Sequence, residues 1–186
     1  LIRGRKLVLE YERYYRQFVP GCENARMLLT AQTLGIRESR RITGDYVLCV
    51  DDFHRQAIFE DEIGRFAYPV DLHRTSCDEP EEKVHAIFQT LRYKNPGENY
   101  GIPYRSLLPR ALDNVLVAGR CISADRYMIG SIRVQAGCYI TGQAAGVAAA
   151  LAADRQTNPR DLEIADIQKL LVANGAFLPN YRIKAS

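Results

Sequence analysis

A chain of 186 residues with 47% apolar and 25% charged residues has the make-up of a soluble globular protein, either one domain or one domain with a small appendage. Its formal net charge of +3 is too slight to point to nucleic acid or an anionic membrane. The five cysteines (Cys22, Cys49, Cys77, Cys121, Cys138) are odd in number, widely spaced and form no C-x-x-C pair. That argues against a disulfide framework or a zinc site and for the reduced thiols of a cytoplasmic protein. No basic n-region followed by an apolar h-region opens the chain, so no signal peptide is read there. The first residue is Leu1, as in a fragment or a processed product.

In chain order, Leu7, Tyr11, Tyr14, Tyr15 and Phe18 fall at helical spacing and predict an amphipathic helix over 5–18, stopped by Pro20 and Gly21. The tyrosine row reads as core. A second helix is predicted over 23–33, burying Ala25, Leu28, Leu29 and Ala31 and ending at Gly35. Residues 36–42 and 46–50 read as two strands of a hairpin closed by Thr43, Gly44 and Asp45. Arg37 and Arg41 fall on one face of the first strand and Arg40 on the other, so they cannot share one role. The bland reading of these arginines is an ion-paired strand face. The sharper one has a guanidinium reaching a ligand carboxylate. Asp51 and Asp52 are placed as caps of a short helix reaching Gln56.

Residues 68–72 predict an edge strand containing Pro69, with His73 directly after it. The acidic turn 78–82 and the turn 94–97 bracket an exposed excursion over about 74–98, with a possible strand at 84–91. Residues 100–104 are a short strand limited by Pro103. Then comes an uninterrupted apolar run at 115–118, read as a strand buried on both faces and ended by Gly119. From 134 to 153 no residue carries a formal charge, and this run predicts a buried helix over 136–153. It has the length of a membrane span, and Gly142 and Gly146 match a helix-pairing spacing. Its alanines and Gln135, Thr141 and Gln143 favour a core helix instead. Gly137, Gly142 and Gly146 would each cost such a helix about 1 kcal/mol against Ala, so each implies close approach by something. Ile164, Ile167, Leu170 and Leu171 mark a last helix closed by Asn174 and Gly175.

Three blocks then carry a resemblance: Val117-Ala-Gly-Arg-Cys-Ile-Ser-Ala124, Gly130-Ser-Ile-Arg-Val134 and Gly142-Gln-Ala-Ala-Gly-Val-Ala-Ala149. Together they resemble the C-terminal flavin-contacting segment of FAD-dependent oxidoreductases. The likeness extends to the blocks at 34–44, 68–73 and 100–105. It implies an α/β or α+β fold with two portions. Residues 1–106 would be part of a substrate domain, and residues 107–186 the last strand, loop and helix of an FAD domain. The G-x-G-x-x-G that holds the FAD pyrophosphate in that family is absent from this sequence.

By the same resemblance, Gly119 and Arg120 would face the ribityl-phosphate side of the flavin. Ser131, Ile132, Arg133 and Val134 would lie near its ring edge, with Ser123 and Gly130 in the same cofactor-binding loop. A helix N-terminus there suits the electron-rich N1 and O2 edge of a flavin. His73, Arg37 and Arg133 are the candidate catalytic residues. Residues 125–128 (Asp-Arg-Tyr-Met) are larger and more charged than the resemblance leads one to expect. His54, His73 and His85 are not spaced as a metal pair, and no G-x-S-x-G elbow or Walker loop occurs.

The function this implies is hydride transfer from an unidentified small-molecule substrate to FAD, in a C-terminal fragment that is inactive until a dinucleotide-binding half completes it. The alternative is a flavin-free structural or assembly module. An apolar edge at 115–118 left without its neighbouring strand would also favour a homo-oligomer.

Overall fold

The computed structural model describes residues 2–72 and 89–181, so His73, His85 and Cys77 lie outside the described residues. The chain forms two compact units, Leu1–Ile36 and Arg37–Ser186. In the first, α1 spans Ile2–Phe18. Its last turn runs on through the Val19 N–H to Tyr15 O bond, and Gly21, at φ +85°, turns the chain where a stop was expected. No residue of α1 is buried, so the tyrosine row is not core among the described residues. Tyr14 packs instead on Phe18, ring centroids 5.3 Å apart. The helix expected over 23–33 does not form. Leu28 and Leu29 are 94% and 81% exposed, and a short helix without a buried apolar face has little to stabilise it.

In the second unit the hairpin expected over 36–50 is absent, because its strands pair elsewhere. Ile42 N–H donates to Cys121 O (2.9 Å) and Leu48 N–H to Ser123 O (3.1 Å), while Asp125 N–H donates back to Leu48 O (2.8 Å). Gly44 bridges Pro109, and a Cβ there would stand 2.8 Å from the Ser123 Cβ and 3.1 Å from Leu108 O. Helix α2, Val50–His54, follows. Its N-cap is Cys49; Asp52, expected as a cap, sits in the first turn and reaches back to accept from Cys49 N–H at 2.9 Å.

Strand β1, Glu62–Phe66, pairs antiparallel with β2, Tyr100–Pro103, with an irregular register between Glu62 and Gly64. β2 was expected and β1 was not. Residues 68–72 form no strand; their backbone is tied instead by Val70 N–H to Leu91 O (3.1 Å) and Asp71 N–H to Gly130 O (3.3 Å). The described part of the expected excursion, 89–98, is largely exposed and is anchored to the core at two points. Leu91 is buried, and Tyr93 stacks on Phe53 at 4.2 Å while its hydroxyl donates to Phe53 O.

The apolar run 115–118 forms no strand and is half-exposed rather than doubly buried, tied by Val117 N–H to Leu107 O at 2.9 Å. Gly119 ends it at φ +71°. Where a loop was expected, α3 spans Arg126–Ile132. Asp125 is its cap: one carboxylate oxygen accepts from Met128 N–H (2.7 Å) and the other from Val50 N–H (2.8 Å), so one side chain starts α3 and holds α2. Asp125→Ala is expected to cost about 1–2 kcal/mol, read as a lower urea midpoint with an unchanged slope. A loss near zero would show that water replaces both bonds.

Helix α4, Gln135–Arg155, extends the predicted span slightly at both ends. Gly137, Thr141, Ala144, Ala148 and Ala152 form its buried face, packed against β1, α3 and the last helix, α5 (Ile164–Ala173). The opposite face is open, not buried all round as the sequence implied. By length and composition α4 could cross a membrane, and one of its faces is buried in the core. Gly175, at φ +82°, closes α5 as expected. Phe53, Ile63, Tyr100, Leu107, Ile122, Met128, Ile132, Ala144 and Ile167 share one core, so elements from both sides of residue 106 pack together. The fold is a mixed helix and sheet arrangement, as the sequence predicts.

Candidate functional site

The site is built around the start of α4. Val134 is its N-cap, with extended backbone and no capping side-chain bond, and Cys138 N–H to Val134 O is the first bond of the helix. The N–H groups ahead of Cys138, on Gln135, Ala136 and Gly137, therefore have no acceptor one turn back. Gln135 and Ala136 are exposed and line a cavity of about 850 Å³. The other walls are Arg37, Arg65, Arg120 and Arg133, the apolar Phe66, Ala67, Tyr68, Val134 and Phe177, and Asp71 and Asn99.

The four arginines differ in their surroundings. Arg65 is an internal clamp, its side chain 6% exposed, with Nη1 on Glu62 Oε1 at 2.5 Å, Nη2 donating to Asn99 O at 3.1 Å and Nε bonded to the Asn99 side chain. Burial nevertheless pushes the Glu62 carboxyl above the usual range, outweighing the Phe59 N–H bond, Arg65 and Asn180. Arg133 is a second clamp, 7% exposed. It donates to Asp71 O (2.8 Å) and pairs with Glu38 (3.3 Å), which fastens both segments to the entry of α4. Arg37 and Arg120 are exposed on the cavity wall. Gly119 N–H donates to Thr141 Oγ1 at 2.9 Å, which pins the 3-10 turn Gly119–Cys121, and with it Arg120, to the flank of α4.

Of the residues singled out from the sequence, Arg37, Arg120, Arg133 and Val134 come together on this cavity. Gly119 adjoins it through Arg120. Ser131, Ile132, Gly130 and Ser123 are buried behind it. Ser131 donates to Tyr68 O (2.6 Å), so its 2.8 Å contact with Tyr100 must use the Tyr100 proton; burial holds that phenol far above its ordinary range. Ser131 thus positions Tyr68 rather than facing the cavity. Gly130 lets residue 71 approach, since a Cβ there would lie 2.9 Å from Asp71 O. The Ser123 hydroxyl is buried without a partner among the described residues.

Sequence reasoning missed Arg65, Phe66, Asn99 and Phe177, none of which carried a signal. It also gave no role to Tyr68 and Asp71, although the block at 68–73 had been singled out. Among the described residues no group of three His, Cys, Asp or Glu could hold a metal ion.

Residues 1–171 match the family model for FAD dependent oxidoreductases. The chain belongs to that family. No curated protein and no solved structure matches it. The cleft fits one end of the family's cofactor. Free helix N–H groups and arginines suit the electron-rich edge of a flavin, and Phe66, Tyr68 and Phe177 offer apolar area to a flat ring. Its volume falls in the range of small-molecule sites. For the pyrophosphate, the FAD dependent oxidoreductase chain described here has no glycine-rich loop.

Proposed function

We propose that this chain is the C-terminal, ring-facing part of an FAD-dependent oxidoreductase that moves a hydride from a small-molecule substrate to the flavin. The observation that carries the reading is the uncapped N-terminus of α4 opening into a cavity walled by Arg37, Arg120, Arg133, Phe66 and Tyr68. Bound there, FAD would supply the hydride acceptor. The N–H groups of Gln135 and Ala136 would hold its pyrimidine edge, Phe66 and Tyr68 its ring, and Gly119 and Arg120 its ribityl side. Arg133 positions this wall through Asp71 and Glu38.

The pyrophosphate, on this reading, is held by a dinucleotide-binding half with a glycine-rich loop, contributed from outside these residues. Two surfaces suit its packing. One is the open face of α4, where Gly142 and Gly146 have nothing within 4 Å of an added Cβ. The other is a cavity of about 550 Å³ lined by Asn114, Leu116, Ala149, Ala152 and Pro159, beside the half-exposed 115–118 run.

The energetics support a dependence on that half. A helix N-terminus offers a nearby negative charge about 0.3–1 kcal/mol when exposed and about 2 kcal/mol when partly buried. Micromolar affinity needs about 8 kcal/mol. The chain purified alone is therefore expected to carry no FAD and no oxidoreductase activity, and adding the dinucleotide-binding half in trans should restore the yellow colour. The check is the flavin released on denaturing the isolated chain. Near-stoichiometric FAD there would overturn the dependence.

A further inference from the structure

We infer that Phe177 is an apolar grip on the flavin ring, carried to the cleft by a strap that follows α5. The inference rests on the flavin reading above. Of the apolar residues over 176–181, Ala176, Leu178 and Tyr181 pack on the core. Phe177, set between the first two, is 65% exposed and lines the cavity of about 850 Å³. No aromatic ring among the described residues pairs with it. The strap lies beyond residues 1–171, the span that the family model matches, so the resemblance assigns it nothing.

The position of Phe177 is held from both sides. Gly175, at φ +82°, turns the chain out of α5, and Ala176 N–H donates to Leu171 O at 2.9 Å. The Gln143 side chain, on α4, donates to Asn174 O at 3.3 Å. On the far side Leu178 is buried, and Tyr181 N–H donates to Leu178 O at 3.0 Å. The Asn180 side chain then donates to Glu62 Oε2 at 3.4 Å, and Glu62 holds Arg65, a wall of the same cavity. The strap is thus fastened to α4, α5 and β1, and its phenyl ring is presented to the cleft rather than left on a loose end. A phenyl group has no hydrogen-bonding atom, so what it offers a ligand is flat apolar area. A flavin matches that offer. On the reading above its pyrimidine edge takes the N–H groups of Gln135 and Ala136, and the rest of its ring system is flat and largely apolar. Covering Phe177 with that ring removes apolar area from water, which favours the bound state.

The test is fluorine NMR of the full chain grown with 4-fluorophenylalanine, run beside proton–nitrogen NMR of the amides. Both methods read weak binding. The chain has six phenylalanines, and Phe177→Leu identifies the signal of interest by deleting it. The probes are FMN and ribitol 5-phosphate, which is the side chain of FMN without its ring. FMN is expected to move the Phe177 fluorine signal by its ring current, together with the amides of Gln135 and Ala136. Ribitol 5-phosphate should leave that fluorine signal in place. Phe177→Ala should weaken FMN about tenfold, and Phe177→Tyr, which keeps the ring, should bind as the parent does. Neither should move the urea midpoint, because the side chain is already exposed. FMN that shifts the amides without the fluorine signal, or a Phe177→Ala variant that binds FMN as tightly as the parent, overturns the inference while the flavin reading stands. A urea midpoint lowered by Phe177→Ala overturns it too, since the phenyl would then be a packing residue. FMN that leaves Gln135 and Ala136 unshifted overturns both.

Discussion

Gly137→Ala is expected to destabilise the protein by about 2–3 kcal/mol, although alanine is the better helix former by about 1 kcal/mol. Gly137 is buried in the first turn of α4, and a Cβ there would run into the Ile132 carbonyl oxygen, with the Ile132 carbonyl carbon at 3.0 Å and Cδ1 at 3.1 Å. The obstacle is main chain, at the junction where α3 hands over to α4, so no side-chain rotation relieves it. The same substitution at Gly142 or Gly146 meets nothing within 4 Å and is expected to add roughly 1 kcal/mol of helix propensity. Urea melts of the three single variants would check the contrast. Equal effects at all three positions would mean that the junction relaxes freely. A shift at the junction would also displace Gln135 and Ala136, so Gly137→Ala should disturb the cleft where the other two leave it intact.

The three glycines show what the sequence can and cannot carry. Each broke the alanine pattern, and each implied close approach, but only the structure separates the one that touches this chain from the two that face outward. What was legible depended on the range of the interaction. Helices α1 and α5 follow from local periodicity and from Gly21 and Gly175 at their ends, and α4 from its uncharged, alanine-rich run. The segments around Ile42 and Leu48 pair with Cys121, Ser123 and Asp125, so a local hairpin was the wrong inference from correctly extended backbone. Strand β1 was hidden because two of its enclosed side chains, Glu62 and Arg65, are charged and satisfy one another, which defeats a pattern search for apolar residues. Helix α3 did leave a signal: Asp125 precedes Met128, Ile129 and Ile132, a cap followed by an apolar face, but the resemblance led to a loop being read there. Arg37, Arg120, Arg133 and Val134 lie in three separate blocks of the resemblance, and the fold brings them to one cavity at the start of α4. Ser123, Gly130, Ser131 and Ile132 lie in the same blocks yet are buried: α3 turns the last three into the core, and Ser123 is paired by its backbone with Leu48 and Ser106.

Arg65→Met is expected to cost about 3–5 kcal/mol at neutral pH, because it leaves a buried carboxylate without its counter-ion. The Glu62 side chain is 3% exposed, and its 2.5 Å pair with Arg65 closes the β1 end of the cavity. Its remaining donors, Phe59 N–H at 3.1 Å and the Asn180 side chain at 3.4 Å, are neutral. The loss should depend on pH. Burial already places the Glu62 carboxyl above the usual range in the parent chain, and Arg65 is one of the groups holding it down, so the variant moves it higher. A folded value above the unfolded one gives a contribution fully present below the ordinary glutamate range, about 4.3, and lost as pH rises through the folded value. The gap between variant and parent should therefore be widest near pH 7 and narrow toward pH 5. Adding Glu62→Gln to Arg65→Met removes the titrating group, and should both recover much of the neutral-pH loss and flatten the gap across that window. Urea midpoints of the parent and both variants at the two pH values check the sign. A gap that widens on acidification would show that Arg65 stabilises the fold through Asn99 and its packing, and that Glu62 is not the charge it serves.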